Sequence, residues 1–295
     1  MKNTKYYLAA IVAFLIWGFF SLVLKPLHAY ASLDILFYRV FLCSVLLLLI
    51  TFGFKRKQLQ ENIKLFKELP VKRKRRTILI NMAGGILLTV NWFSFIYVMN
   101  HVTVKAASLA YLVCPILTTL LAHFILHEKL KGLQWVSMGL SIVGCLLLSY
   151  TNLIDMVFSL IVGLSYALYL ITQRQNKGFD KIIVLTFQIV LSGVLLLPFY
   201  PVYSMGVPTA FDFYFYIAII AIGFTIIPLF LNLYALKGIN SSTIGMLLNI
   251  NPIIGFLLAA YVYHEQMNLI QIIAYSIIFI AVVAFNAQLF LKKES

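Results

Sequence analysis

Two stretches of this chain, Ala106–Glu128 and Thr243–Glu265, are versions of one another, and that repetition constrains the fold more than any other feature. Each is an apolar run with one proline inside it and a His-Glu pair at its end. Pro115 and Pro252, His127 and His264, and Glu128 and Glu265 are all separated by 137 positions. The same register aligns Phe93 with Phe230, Tyr97 with Tyr234 and Gln134 with Gln271 without a gap. Leu and Ala match by chance in any two apolar segments; proline, His-Glu, tyrosine and glutamine at one spacing do not. The chain therefore reads as a duplicated five-helix unit, residues 1–150 followed by residues 151–295.

With 62% hydrophobic and 11% charged residues, 295 residues cannot hide their apolar surface in one water-soluble globule, so the expectation is an all-α integral membrane protein. About 20 apolar residues span a bilayer, and ten runs meet that length: 6–25, 33–54, 77–99, 102–126, 134–150, 153–172, 182–200, 213–236, 242–263 and 269–290. With both termini cytoplasmic, 20 of the 23 Lys and Arg fall on the cytoplasmic side, leaving only Lys25, Arg39 and Lys105. That bias accounts for the net charge of +14, which therefore does not imply a nucleic-acid partner. Five spans per unit is an odd number, so the second unit enters the membrane in the opposite sense. Inverted repeats are an architecture of secondary transporters. The first run has no small-residue cleavage site after it and is expected to stay as a helix. Cys43, Cys114 and Cys145 lie inside apolar runs without metal or disulfide spacing and read as packing residues.

The one long polar segment, 55–76, carries ten basic residues and is expected to lie on anionic lipid. Ile63, Leu65, Phe66 and Leu69 suggest a short amphipathic helix there, ended by Pro70. No phosphate-binding loop or nucleotide fingerprint is present, and no cofactor or metal is expected. Coupling to a proton gradient is compatible with the chain, but no carboxylate lies deep in a span to carry the proton. His123 reads as a packing residue on an otherwise apolar face.

Arg39 is the most informative single residue, lying about 9 Å into its run at 1.5 Å per residue. It either lines a cavity or snorkels to the outer headgroups, with Asp34 a turn away as partner. Polar groups elsewhere in the spans mark a second cluster: Asn91, Tyr97 and Asn100, Ser108 and Tyr111, Asn232 and Tyr234, Asn249 and Asn251. These are either a substrate site or interhelical glue. Asn249 and Asn251 cannot share one helix face, so one is expected to line the cavity and the other to bond a neighbour. Trp17 sits well inside the first span, where Trp17-Gly18 pairs with Tyr166-Ala167 of the second unit. The small residues of that pair allow close helix contact. Pro115 and Pro252 each free a backbone carbonyl and are expected to act as matched bends.

The runs FLIWGFF (14–20), YRV (38–40), GGILLTVNWFSFIYVMN (84–100), AASLAYLVCP (106–115), TIIPLF (225–230) and STIGMLLNINP (242–252) resemble the RarD-like branch of the EamA-type drug/metabolite transporters over nearly the whole chain. The resemblance implies ten helices in two inverted repeats, a bacterial inner membrane, and movement of small metabolites or drugs. It carries family motif positions onto Trp17, Arg39, Asn91, Trp92, Ser108, Tyr111, Pro115 and Pro252. The chain departs from that pattern at Ala106, where a glutamate is frequent, at Cys114 in place of asparagine, and at His127 and His264 in place of glycine. The function expected is a secondary transporter of a small organic solute working by alternating access, as an exporter. A membrane-embedded enzyme and a non-transporting scaffold are the rival readings; the first predicts acid, base or metal ligands clustered at one membrane face.

Overall fold

The computed structural model describes residues 3–101, 104–149, 153–176, 178–262, 264 and 268–286, and the side chains of all of these except 99–101, 104–109, 149, 153–156 and 259. Among the described residues every regular element is helical. We number the helices α1 (Thr4–Leu27, with an irregularity at Phe19), α2 (Ser32–Gly53), α3 (Arg56–Glu68), α4 (Val71–His101), α5 (Val104–Leu126) and α6 (Gly132–Ser149). The second half holds α7 (Leu153–Gln175), α8 (Lys181–Tyr203), α9 (Phe211–Ala235), α10 (Ser241–Leu247 continued by Ile250–Tyr261) and α11 (Leu269–Asn286). Eight of these are long and apolar enough to cross a membrane, judged on the described residues. The described apolar parts of α5 and α6, Ala110–Leu126 and Gly132–Leu148, are shorter. A lone helix bonds its own backbone, so only side-chain packing has to hold such a bundle together in lipid.

The basic segment is more ordered than a loop. Its amphipathic part forms α3, and Leu69 takes an extended conformation because the ring of Pro70 disfavours the helical region in the residue before it. The backbone then re-enters a helix at Val71, so α4 begins earlier than the apolar run at 77. Lys72 to Arg76, read as part of the loop, are helical because nothing breaks the helix once Pro70 is passed. Asn62 of α3 accepts a hydrogen bond from the Asp180 amide at 3.2 Å, and Arg76 donates to Gln175 at 3.2 Å, which fixes this segment against the α7–α8 turn.

The principal helix pairings obey the exchange of the two halves, with α1, α2, α4, α5 and α6 taken as counterparts of α7, α8, α9, α10 and α11. α5 lies on α7 and α10 on α1; α4 lies on α7 and α9 on α1; α4 lies on α8 and α9 on α2. The pairs α2–α8, α5–α10 and α6–α11 join counterparts to each other. The exception is α4 against α5, which has no counterpart of similar extent between α9 and α10. Small residues permit the closest approaches: a Cβ on Gly18 would stand 2.7 Å from Ile254, and its counterpart Ala167 is fully buried.

Candidate functional site

Polar side chains that lipid would penalise meet where α1, α4, α7 and α9 come together. Pro228 has no amide hydrogen, so the Phe224 carbonyl one turn before it loses its ordinary helical partner. The helix there widens into a π turn, Ile222–Ile226, and the Trp17 indole N–H donates to that carbonyl at 2.8 Å. The Trp17 ring meets Tyr166 edge-on at 6.2 Å. Tyr166 in turn accepts a hydrogen bond from Asn232 Nδ2 at 2.9 Å. Asn91 is buried and clamps α4 to α7, donating to the Val162 carbonyl at 3.0 Å and to Ser165 Oγ at 3.2 Å. Asn91 therefore serves as interhelical glue.

Arg39 stands beside this cluster, on α2. Its guanidinium lies over the Trp92 ring, 4.9 Å from the centroid, and its Nε is enclosed without a hydrogen-bond partner. Cys43 and Tyr111 are its electrostatic neighbours. The pairing with Asp34 expected for a snorkelling arginine is not formed: Asp34 is itself buried, and its Oδ2 accepts from the Met205 amide at 3.2 Å. Tyr111 is half-buried and packs against Phe95, with 5.4 Å between ring centroids.

The structure thus brings Trp17, Arg39, Asn91, Trp92 and Tyr111 into one region of the bundle. It does not add Tyr97 or Tyr234. Tyr97 is 47% exposed on α4, and Tyr234 packs against Tyr6 and Phe230 at 5.1 and 6.3 Å near the start of α1. Asn249 is fully buried but bonds only the Met246 carbonyl of its own helix, leaving its Oδ1 without a partner, so the expected bond to a neighbouring helix is absent among the described residues. Asn251 is half-buried. The Asn100 and Ser108 side chains lie outside the described residues. His123 is a satisfied packing residue, its Nδ1 donating to the Glu128 carbonyl at 2.9 Å and its ring edge-on to Trp135.

The two prolines are not matched in conformation. α5 runs unbroken through Pro115, whereas α10 is interrupted at Leu248 and Asn249. There the Leu248 carbonyl, deprived of a partner by Pro252, takes the Asn251 amide at 3.1 Å in a tighter turn. Burial differs in the same sense. Cys114, Pro115, Thr118 and Thr119 are buried, while their counterparts Asn251, Pro252, Gly255 and Phe256 are half-buried. Ile254 packs on Gly18 of α1 and Phe256 stacks on Tyr275 of α11 at 4.2 Å. At 100° per residue Gly255 therefore faces the space between α1 and α11 inside the bundle, and the exposed Leu257 faces away from it.

Glu128 holds the tight end of this crossing. His127 takes a left-handed conformation (φ 54°), the usual way for a helix to end, although glycine is the ordinary choice. The chain then turns so that the Glu128 carboxylate meets the first turn of α10. It accepts from the Ser241 amide at 2.8 Å, the Ser242 amide at 3.0 Å and Ser242 Oγ at 2.6 Å, where the helix N-terminus favours negative charge. Nearby, a Cβ on Gly245 would stand 2.8 Å from Thr118. The His-Glu repeat hinted at this latch, but its acceptor groups could not be read from spacing. His264 shares the left-handed conformation (φ 52°); Glu265 lies outside the described residues.

The model of the EamA-like transporter family matches the chain twice, over residues 4–150 and 153–287. The chain belongs to the EamA-like transporter family. It is 27% identical to an uncharacterized transporter, YojE, of Bacillus subtilis (strain 168), over 93% of this chain and 91% of that one. It is 26% identical to the protein RarD of Salmonella typhimurium, over 94% and 93% of the two chains. A solved crystal structure, 14% identical, superposes with a TM-score of 0.74 over 99% of this chain and 100% of that one, a likeness of fold. This EamA-family chain is a multi-pass membrane protein and a membrane transporter, and its bacterial relatives point to the inner membrane.

Proposed function

We propose that the protein is a secondary transporter that moves a small organic solute by alternating access, through ten spanning helices arranged as two inverted five-helix repeats with both termini cytoplasmic. The observation that carries this reading is the unequal state of equivalent residues where α5 crosses α10. The end held by Glu128 is shut, with Thr118 and Thr119 fully buried, and the other end, at Asn251 to Phe256, is loosened. Two copies of one packing motif, one closed and one open, are what exchange of conformation between inverted repeats requires. The two separate family matches support the duplication. In this reading Glu128 closes the cytoplasmic side, and the open space beside Gly255, where an added Cβ would meet nothing within 4 Å, faces outward. The direction we propose is export.

The test is transport by purified protein in liposomes, using a pool of metabolites with and without an imposed proton gradient. Accumulation or counterflow of at least one solute above empty liposomes supports the reading. Absence of any flux across the pool, from monodisperse protein of both orientations, contradicts it.

A further inference from the structure

We propose that Arg39 and Trp92 form an anion subsite that selects a monocarboxylate with a flat, apolar body as the transported solute. The proposal rests on the transporter reading and deepens it. An arginine about 10 Å into a spanning helix is costly unless its charge is balanced. Among the described residues no carboxylate balances this one. The acid on the same helix, Asp34, accepts from the Met205 amide through Oδ2 and leaves Oδ1 unbonded, and the electrostatic neighbours of the guanidinium are Cys43 and Tyr111. Its Nε is enclosed and bonded to nothing, while the side chain as a whole is only half-buried. The exposure it retains therefore lies elsewhere on the side chain, consistent with donors left at the Nη end for a ligand.

The guanidinium lies over the Trp92 ring, 4.9 Å from its centroid, and this contact restrains where the fork sits. A planar fork held this way fits a carboxylate in the same plane, through two parallel hydrogen bonds. A single arginine balances one negative charge, which favours a monoanion over a doubly charged phosphate. Beside the fork, Trp92, Tyr111 and Phe95 offer aromatic surface for the carbon skeleton. The same uncompensated charge repels amines.

The experiment uses the purified full-length protein and matched sets of probes: benzoate, phenylacetate and hexanoate, each with its amide and its amine. Thermal unfolding is followed for each set. The proposal predicts that at least one carboxylate raises the melting temperature while its amide and amine do not. In Arg39→Lys the apparent affinity should fall, and in Arg39→Gln it should fall by roughly thirtyfold or more. Equal stabilisation by an amide or amine, no stabilisation by any carboxylate, or stabilisation that survives in Arg39→Gln overturns it. The wild-type comparison needs no variant to fold. Flux of a neutral or cationic solute in the liposome assay would sink this proposal while leaving the transporter reading intact.

Discussion

Trp17 and Tyr166, which occupy corresponding places in the two repeats, meet edge to face at 6.2 Å near the junction of α1, α7 and α9. Beside this contact the Trp17 indole N–H goes to the Phe224 carbonyl and the Asn232 amide to the Tyr166 hydroxyl, while Asn232 Oδ1 and the nearby Tyr169 hydroxyl are left without a partner. In lipid an unpaired group at this depth costs more than the bond contributes, so losing either of these two hydrogen bonds should be felt by the whole bundle.

The Trp17 bond depends on Pro228. Trp17→Phe should destabilise the protein by about 1–3 kcal/mol, because the Phe224 carbonyl is left without a donor. In a Pro228→Ala background a backbone amide is available to that carbonyl, and the same Trp17→Phe change should cost less. A double-mutant cycle on thermal unfolding measures the coupling; additive effects would show that the indole bond does not depend on the proline.

Asn91 is expected to contribute to assembly and not to recognition. Asn91→Ala should lower stability by about 0.6–1.7 kcal/mol, the range for hydrogen bonds between membrane helices. Solute affinity should be unchanged. A change of substrate preference in this variant, measured by counterflow, would place Asn91 in the site.

Much of this arrangement was legible in the sequence, and what was not has a physical cause. The 137-residue offset aligns Pro115 with Pro252 and His127 with His264, and the equal left-handed conformations of the two histidines show how deep that equivalence runs. The same offset also aligns Tyr97 with Tyr234, yet neither joins the centre, because depth in a span does not say which way a side chain faces. The unequal conformations at Pro115 and Pro252 could not be read at all. Equivalent residues in two copies of a repeat do not say which copy is the loosened one. Glu128 was visible as a repeated acid, but its partners are backbone amides of Ser241 and Ser242, which any sequence possesses. Free carbonyls were expected before Pro115 and Pro252; the one before Pro228, with Trp17 as its donor, emerges only in the fold.

On the proposed alternating access, the Glu128 carboxylate is the group expected to hold the closed end shut. Glu128→Gln keeps the shape but removes the charge facing the α10 N-terminus and one acceptor oxygen, which should cost about 1–2 kcal/mol. About 1.4 kcal/mol changes a two-state ratio tenfold. A cysteine at Thr119 should therefore react faster with a thiol reagent from the cytoplasmic side in Glu128→Gln than in the parent. No change in that rate would make the carboxylate an ordinary helix cap.

The sense of each repeat is testable by itself. In a background without Cys43, Cys114 and Cys145, a cysteine replacing Asn268 should be labelled by an impermeant thiol reagent from outside, and one replacing Lys131 should not. Labelling of both, or the reverse pattern, removes the inverted-repeat argument.

The account stands most directly on the difference between Thr118 and its counterpart Gly255. Thr118 is fully buried in the shut end of the α5–α10 crossing, and Gly255 faces the loosened end. Single cysteines at these two positions, in the same cysteine-free background, are exposed in intact cells to an impermeant thiol reagent added outside. The account predicts that Gly255→Cys is labelled and Thr118→Cys is protected. Equal labelling of the two, or labelling of Thr118→Cys alone, would contradict an outward-open state built from inverted repeats.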